Sequence, residues 1–259
     1  MTEILSFLTP GLSWGEFSLA LAITCLAGLV KGLVGFALPM IVVSGLGMFL
    51  APEIALAGLI LPTLVANGIQ ALRQGPRAAL QSIRRFGVFL GVGLVFLLAS
   101  AQLVRVLPQS ALLLMIGLPI VAFSLFQLGG LKFSLNGANR RIEALIGAVA
   151  GFIGGMSGIW GPPTVAYLTA LNTPKGEQMR VQGVIYGLGA VALFAAHLGS
   201  GVLRAETLPF SVTLIAPAVL GMWLGGWFQD RIEQNTFRRA TLFVLLIAGL
   251  NLTRRGLFG

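Results

Sequence analysis

Residues 28–39 read GLVKGLVGFALP, and Lys31 is the one cationic side chain in an apolar stretch running from residue 16 to residue 50. A lysine among such neighbours needs a counter-charge, a polar cavity or a ligand. Two further polar sets could supply the cavity. Thr63, Asn67 and Gln70 recur at helical spacing on one face, and Gln182, Tyr186 and His197 do the same later in the chain. A third stretch, GGMSGIWGPPT, carries Ser157, Trp160 and Thr164, two hydroxyls and an indole N–H able to donate hydrogen bonds. A fixed cation beside neutral donors is the chemistry of anion binding. Each set also has a plainer reading. Polar stripes can be interhelical hydrogen bonds worth about 0.6 kcal/mol each, Trp160 can be an interfacial anchor, and His197, near a helix end, reads as a satisfied structural histidine rather than a proton shuttle.

What is missing narrows the chemistry. All eight acidic residues lie at segment ends or in loops, so the apolar runs hold no carboxylate to carry a proton or ligate sodium. There is no cluster with metal-ligand spacing and no zincin motif. No catalytic residue, metal or cofactor is therefore expected, and the chain does not read as an enzyme. Cys25 stands alone, which excludes an intramolecular disulfide and leaves a small packing residue.

The elements that position these residues follow from composition. Of 259 residues 56% are hydrophobic and 10% charged, against about a quarter charged in a soluble domain. Apolar runs of about twenty residues, the length needed to cross a hydrocarbon core of about 30 Å, recur throughout. The expected fold is an all-α, polytopic membrane bundle; barrel strands would alternate and be about ten residues long. MTEILSFLTPGLSWGE shows no basic region or cleavage site of a removable signal peptide. The net charge of +9 sits in short loops, which reflects positive-inside topology rather than nucleic-acid binding.

Eight apolar segments are expected, at 16–50, 53–72, 86–104, 110–128, 142–172, 178–199, 208–228 and 239–252. The first and fifth are too long for one crossing and are interrupted by glycine and proline. Gly28, Gly32, Gly35 and Pro39 match Gly151, Gly155, Gly158 and Pro162 at one constant offset, and Pro52 and Pro174 close the two segments. The chain thus divides into repeats at 1–128 and 129–259, each a broken-helix hairpin followed by three transmembrane helices, within one membrane domain. If each hairpin enters and leaves on the same side, Arg73, Arg77, Arg84, Arg85, Lys132, Arg140, Arg141, Lys175, Arg180, Arg231, Arg238 and Arg239 collect in the cytoplasm. Three net crossings per half then make the repeats inverted, as in many secondary transporters. Backbone freed by the breaks is tolerated only where protein or a water-lined cavity satisfies it. New helices starting at Pro39 and Pro162 would aim two N-termini at a common point near the middle, an anion site. Alternatively, the glycines serve only small-xxx-small packing.

GLVKGLVGF and the second repeat GFIGGMSGIWGPP resemble the TauE/SafE family of sulfite and organosulfonate exporters, also called the toluene sulfonate uptake permease family. The resemblance covers nearly the whole chain; Phe36, Ala37 and Leu38 stand where several members carry more glycine. It implies transport of small sulfur-containing anions across the bacterial inner membrane by a multi-pass protein. The expected substrate site is Lys31, Gly32, Gly35, Asn67, Gln70, Gly155, Ser157, Gly158, Trp160, Thr164, Gln182 and Tyr186. In this reading Lys31 is the counter-charge, and Asn67, Gln70, Gln182 and Tyr186 are the selectivity donors. A passive anion channel and a non-transporting scaffold or assembly protein are the alternatives. The expected partners are a small anion and the lipid bilayer, with no nucleic acid; homo-oligomerisation is left open.

Overall fold

A computed structural model describes residues 12–101, 109–130, 135, 137, 139–157, 161–199 and 203–258. Their regular structure is entirely α-helical, without strands, as the composition leads one to expect. The helices are α1 (Trp14–Val34), α2 (Leu38–Leu46), α3 (Pro52–Leu72), α4 (Pro76–Arg85), α5 (Gly87–Ala101) and α6 (Gln109–Leu128), followed by α7 (Arg140–Ser157), α8 (Gly161–Ala170), α9 (Lys175–Gly199), α10 (Leu208–Thr213), α11 (Ile215–Arg231) and α12 (Gln234–Phe258). Among the described residues four helical stretches are long and apolar enough to cross a membrane: Trp14–Val34, Ile54–Leu72, Leu208–Arg231 and Gln234–Phe258. The protein is a multi-pass helical membrane protein.

The expected segments map onto these helices with two differences. The hairpin expected at 16–50 is α1, a bend and the short α2, and the segment at 142–172 is α7 and α8. The segment expected at 208–228 is interrupted at Leu214, between α10 and α11. The charged stretch 76–85 is a helix, α4, which meets α5 at 71°.

Two compact units form, and each draws on both sequence halves. One comprises residues 1–75 and 182–232, the other 76–181 and 233–259. In the first unit α1 starts at a capping box: Ser13 Oγ accepts from Glu16 N, and Glu16 accepts from Ser13 N at 2.8 Å, satisfying donors that a helix start leaves open. Helix α1 then lies against α11 at backbone distance. A methyl group on Gly28 or Gly32 would overlap the carbonyls of Ala218 and Met222, and one on Gly221 or Gly225 would overlap those of Cys25 and Leu29. Four glycines thus interlock two helices, the small-residue packing available to apolar helices in lipid. Helix α2 folds back along α1, since a methyl on Gly45 would stand 2.7 Å from Ile23 Cγ2. Leu38, Val42 and Leu46 of α2 join Leu59, Phe210 and Leu214 in the core.

The second unit repeats the device. Gly147 and Gly151 of α7 leave no room for a methyl against the backbone of Phe89 and Gly93 in α5. Glu143 is buried yet satisfied: its carboxylate accepts from Phe89 N at 3.0 Å, capping the first turn of α5 from the neighbouring helix. The Phe89 and Tyr167 rings stack beside it, with centroids 6.3 Å apart.

Candidate functional site

The site is built where α1 stops. Gly35 closes the helix with φ 88°, its N–H donating to the Lys31 carbonyl at 2.7 Å. That left-handed conformation suits glycine alone without strain. Ala37, at φ 77°, then turns the chain into α2, which carries Pro39 in its first turn and has no side-chain cap. A non-glycine residue held there costs of order 1 kcal/mol or more, so the surrounding packing enforces the reversal; Phe36, Ala37 and Leu38 are all buried.

Lys31 stands one turn before this break and is 2% exposed. Its Nζ donates to Asn67 Oδ1 at 2.6 Å and to the Gly35 carbonyl at 3.4 Å, and lies 5.9 Å from the centroid of the Tyr186 ring. Asn67 is held in register by its own Nδ2, which donates to the Tyr186 carbonyl at 3.3 Å. Gln70 Nε2 donates to the Gly35 carbonyl at 3.1 Å. The Gln182 amide, with its nitrogen toward α1, donates to the carbonyls of Val34 at 3.2 Å and Gly35 at 3.0 Å. The Gly35 carbonyl is therefore approached by an ammonium and two amides. Thr63, one turn before Asn67, is also buried, and its hydroxyl has no hydrogen-bond partner among the described residues.

Among the described residues Lys31 is a cation met by dipoles and by no carboxylate. The last turn of α1 contributes its partial negative charge, which favours a lysine there, and the Tyr186 ring face adds a cation–π attraction. The carboxylates with partners in the structure are engaged elsewhere. Glu16 bonds Ser13, Glu143 bonds Phe89, Glu177 pairs with Arg85, Glu206 with Arg204, and Asp230 with Arg73. A buried charge held only by neutral groups remains attractive to an anion.

Of the expected site residues, Lys31, Gly35, Asn67, Gln70, Gln182 and Tyr186 are brought together. Tyr186 contributes its ring and its main-chain carbonyl. Gly32 instead packs against α11. Gly155 and Ser157 lie in the last turn of α7, and Thr164 is buried in α8, in the second unit. Gly158 and Trp160 lie outside the described residues, as does the His197 side chain. Lys31 is about 4.5 Å along the axis from the end of α1, and Asn67 about 9 Å from Arg73, so the cluster lies toward one end of both helices. The reason is that Gly28 and Gly32 are taken up by α11 and leave α1 unbroken until Gly35. Sequence reasoning missed Arg73, at the end of α3, whose guanidinium bonds Gln229 Oε1 at 3.1 Å and pairs with Asp230. It also missed Gly183, where α9 approaches the backbone of Ala71 too closely for a side chain. Only the spacing of Gly183 and Gly187, four residues apart on α9, hinted at that approach.

The family described as Sulfite exporter TauE/SafE matches residues 20–252, and the chain belongs to it. No curated protein and no solved structure gives a match. The chain is thus a member of a membrane transporter family for sulfite and related anions, and the match takes in both units.

Proposed function

We propose that the protein is a secondary transporter that exports a small sulfur-containing anion, sulfite or an organosulfonate, across the bacterial inner membrane, with Lys31 as its fixed counter-charge. The observation that carries this reading is the convergence of Lys31, Gln70 and Gln182 on the Gly35 carbonyl. One neutral oxygen offers two lone pairs to three donors, whereas a sulfite or sulfonate group offers three oxygens and a negative charge. The incoming anion takes over the donors from the carbonyl, and charge-assisted hydrogen bonds replace neutral ones. Asn67, anchored to Tyr186, holds the ammonium in place while this exchange occurs. The unsatisfied Thr63 hydroxyl, one turn along α3, supplies a further donor. Gly155, Ser157, Gly158, Trp160 and Thr164 remain candidate substrate residues on the sequence pattern of the second glycine-rich stretch alone.

The alternating-access framework is an inverted repeat. In sequence order α7 stands in the second repeat where α1 stands in the first, and α11 where α5 stands. The glycine interlock of α1 with α11 and of α7 with α5 is the exchange such a repeat requires, and it supports the reading. The first hairpin supports it too, because α2 folds back along α1 instead of continuing it. The test is a ligand screen on purified protein by melting curve, with sulfite, sulfate, thiosulfate, taurine and sulfoacetate against chloride. Stabilisation by sulfite or a sulfonate is the expected result. Equal curves in all anions refute the reading in favour of a non-transporting scaffold.

A further inference from the structure

Helix α4 and its bend point to a lipid contact separate from the Lys31 site. Three sectors run along it. Ala79, Ser82 and Phe86, spaced by three and four residues, are buried, and Ser82 Oγ accepts from Arg180 Nε at 2.8 Å, tying that sector to α9. Leu80 and Ile83 form a second sector and are exposed, at 46% and 37%. Arg77, Gln81 and Arg84 form a third, also exposed. Arg85 is committed to Glu177 at 3.5 Å, whereas Arg77 and Arg84 make no ion pair among the described residues.

The neighbouring helix sets the orientation. Helix α5 has 15 residues, none of them charged, and exposes Leu94, Val95, Phe96 and Leu98; such a surface belongs in hydrocarbon. With α5 crossing the bilayer, the 71° bend between the two helices would turn α4 toward the membrane plane. A short helix with one apolar and one basic sector, lying in that plane, places its apolar sector in the acyl boundary and its cations at phosphate level.

We propose that α4 is an interfacial helix whose Arg77 and Arg84 each hold the phosphate of an anionic phospholipid, with Leu80 and Ile83 seated on the acyl chains. The two arginines are about 10.5 Å apart along the helix, too far to share one phosphate. Charge complementarity selects anionic over zwitterionic lipid, and the apolar sector alongside selects a lipid over a free anion. Each arginine near an anionic surface strengthens the attraction about five-fold, so each of the two lipid sites prefers anionic lipid by about that factor.

The experiment uses the full chain in nanodiscs of phosphatidylcholine, with and without phosphatidylglycerol. Lipid retention is read by native mass spectrometry and stability by melting curve. The wild type is expected to retain phosphatidylglycerol selectively and to melt higher in its presence, the effect fading as salt is raised. The double variant R77Q/R84Q, altered only at exposed positions, is expected to fold and to lose roughly five-fold of that selectivity at each of the two lipids, with phosphatidylcholine retention unchanged. L80Q/I83Q is expected to weaken retention of both lipids. Equal phosphatidylglycerol retention in wild type and R77Q/R84Q overturns the proposal. So does an equal melting shift given by inorganic phosphate, which would make the arginines a free-anion site, or by a soluble acidic polypeptide, which would make them a protein-docking face.

Discussion

Replacing Asn67 by Asp separates an anion site from a structural hydrogen-bond cluster. Asn67 Oδ1 accepts from Lys31 Nζ at 2.6 Å, and the carboxylate of Asn67→Asp would retain that bond with almost no change in volume. At this distance the new ion pair gains about 6 kcal/mol at an effective dielectric constant of about 20. Burying a carboxylate costs several kcal/mol, and aspartate loses the bond that Asn67 Nδ2 donates to the Tyr186 carbonyl, about 1–3 kcal/mol more, so folding stability is expected to fall by about 1–3 kcal/mol. The effect on an anion is one-sided. Lys31 is neutralised, and a carboxylate about 4 Å from a bound anion repels it by about 4 kcal/mol. Sulfite binding is therefore expected to weaken by roughly a thousand-fold. Melting curves of both proteins over a sulfite titration measure both quantities. A variant that folds and still binds sulfite like wild type refutes the counter-charge argument, because an interhelical cluster would tolerate the salt bridge without functional loss.

Three further outcomes follow from the same geometry. Lys31→Arg keeps the charge but presents a planar fork longer than the ammonium it replaces, so altered anion selectivity with reduced affinity is expected in the same titration. Gly225→Val drives two methyl groups toward the Leu29 carbonyl and is expected to cost about 1–3 kcal/mol or more, read as a lower melting point; Gly91→Ala, where a methyl meets nothing within 4 Å, serves as the neutral control. A reporter active only in the cytoplasm should be silent when fused after Gly259 and active when inserted near Arg77, and activity at Gly259 overturns the hairpin parity.

The side chains of the Lys31 site were legible because polarity inside an apolar helix is conspicuous. Asn67 and Gln70, or Gln182 and Tyr186, mark one face by spacing alone. What they would point at was not legible. The helix start expected at Pro39 is present as α2; the donors nevertheless meet the C-terminus of α1 at Gly35, because the position of the break depends on how far α11 follows α1. That contact needs Gly221 and Gly225, nearly two hundred residues from Gly28 in a glycine-rich chain, so spacing could not single them out. Helix α4 was missed for a different reason. PRAALQSIRR has too little apolar length to register as a span, and its amphipathic character matters only at an interface. The Ser13–Glu16 capping box was readable, three residues apart ahead of an apolar run.

The central claim is that Lys31 is the counter-charge of a transported anion, and sulfite flux into proteoliposomes of wild type and Lys31→Met, side by side, tests it most directly. Methionine fills the volume of the lysine stem, and removing the buried charge offsets the lost bond to Asn67, so both proteins are expected to reconstitute and melt alike. The account predicts saturable sulfite flux for wild type and none above empty vesicles for Lys31→Met. Equal saturable flux from both proteins would contradict it.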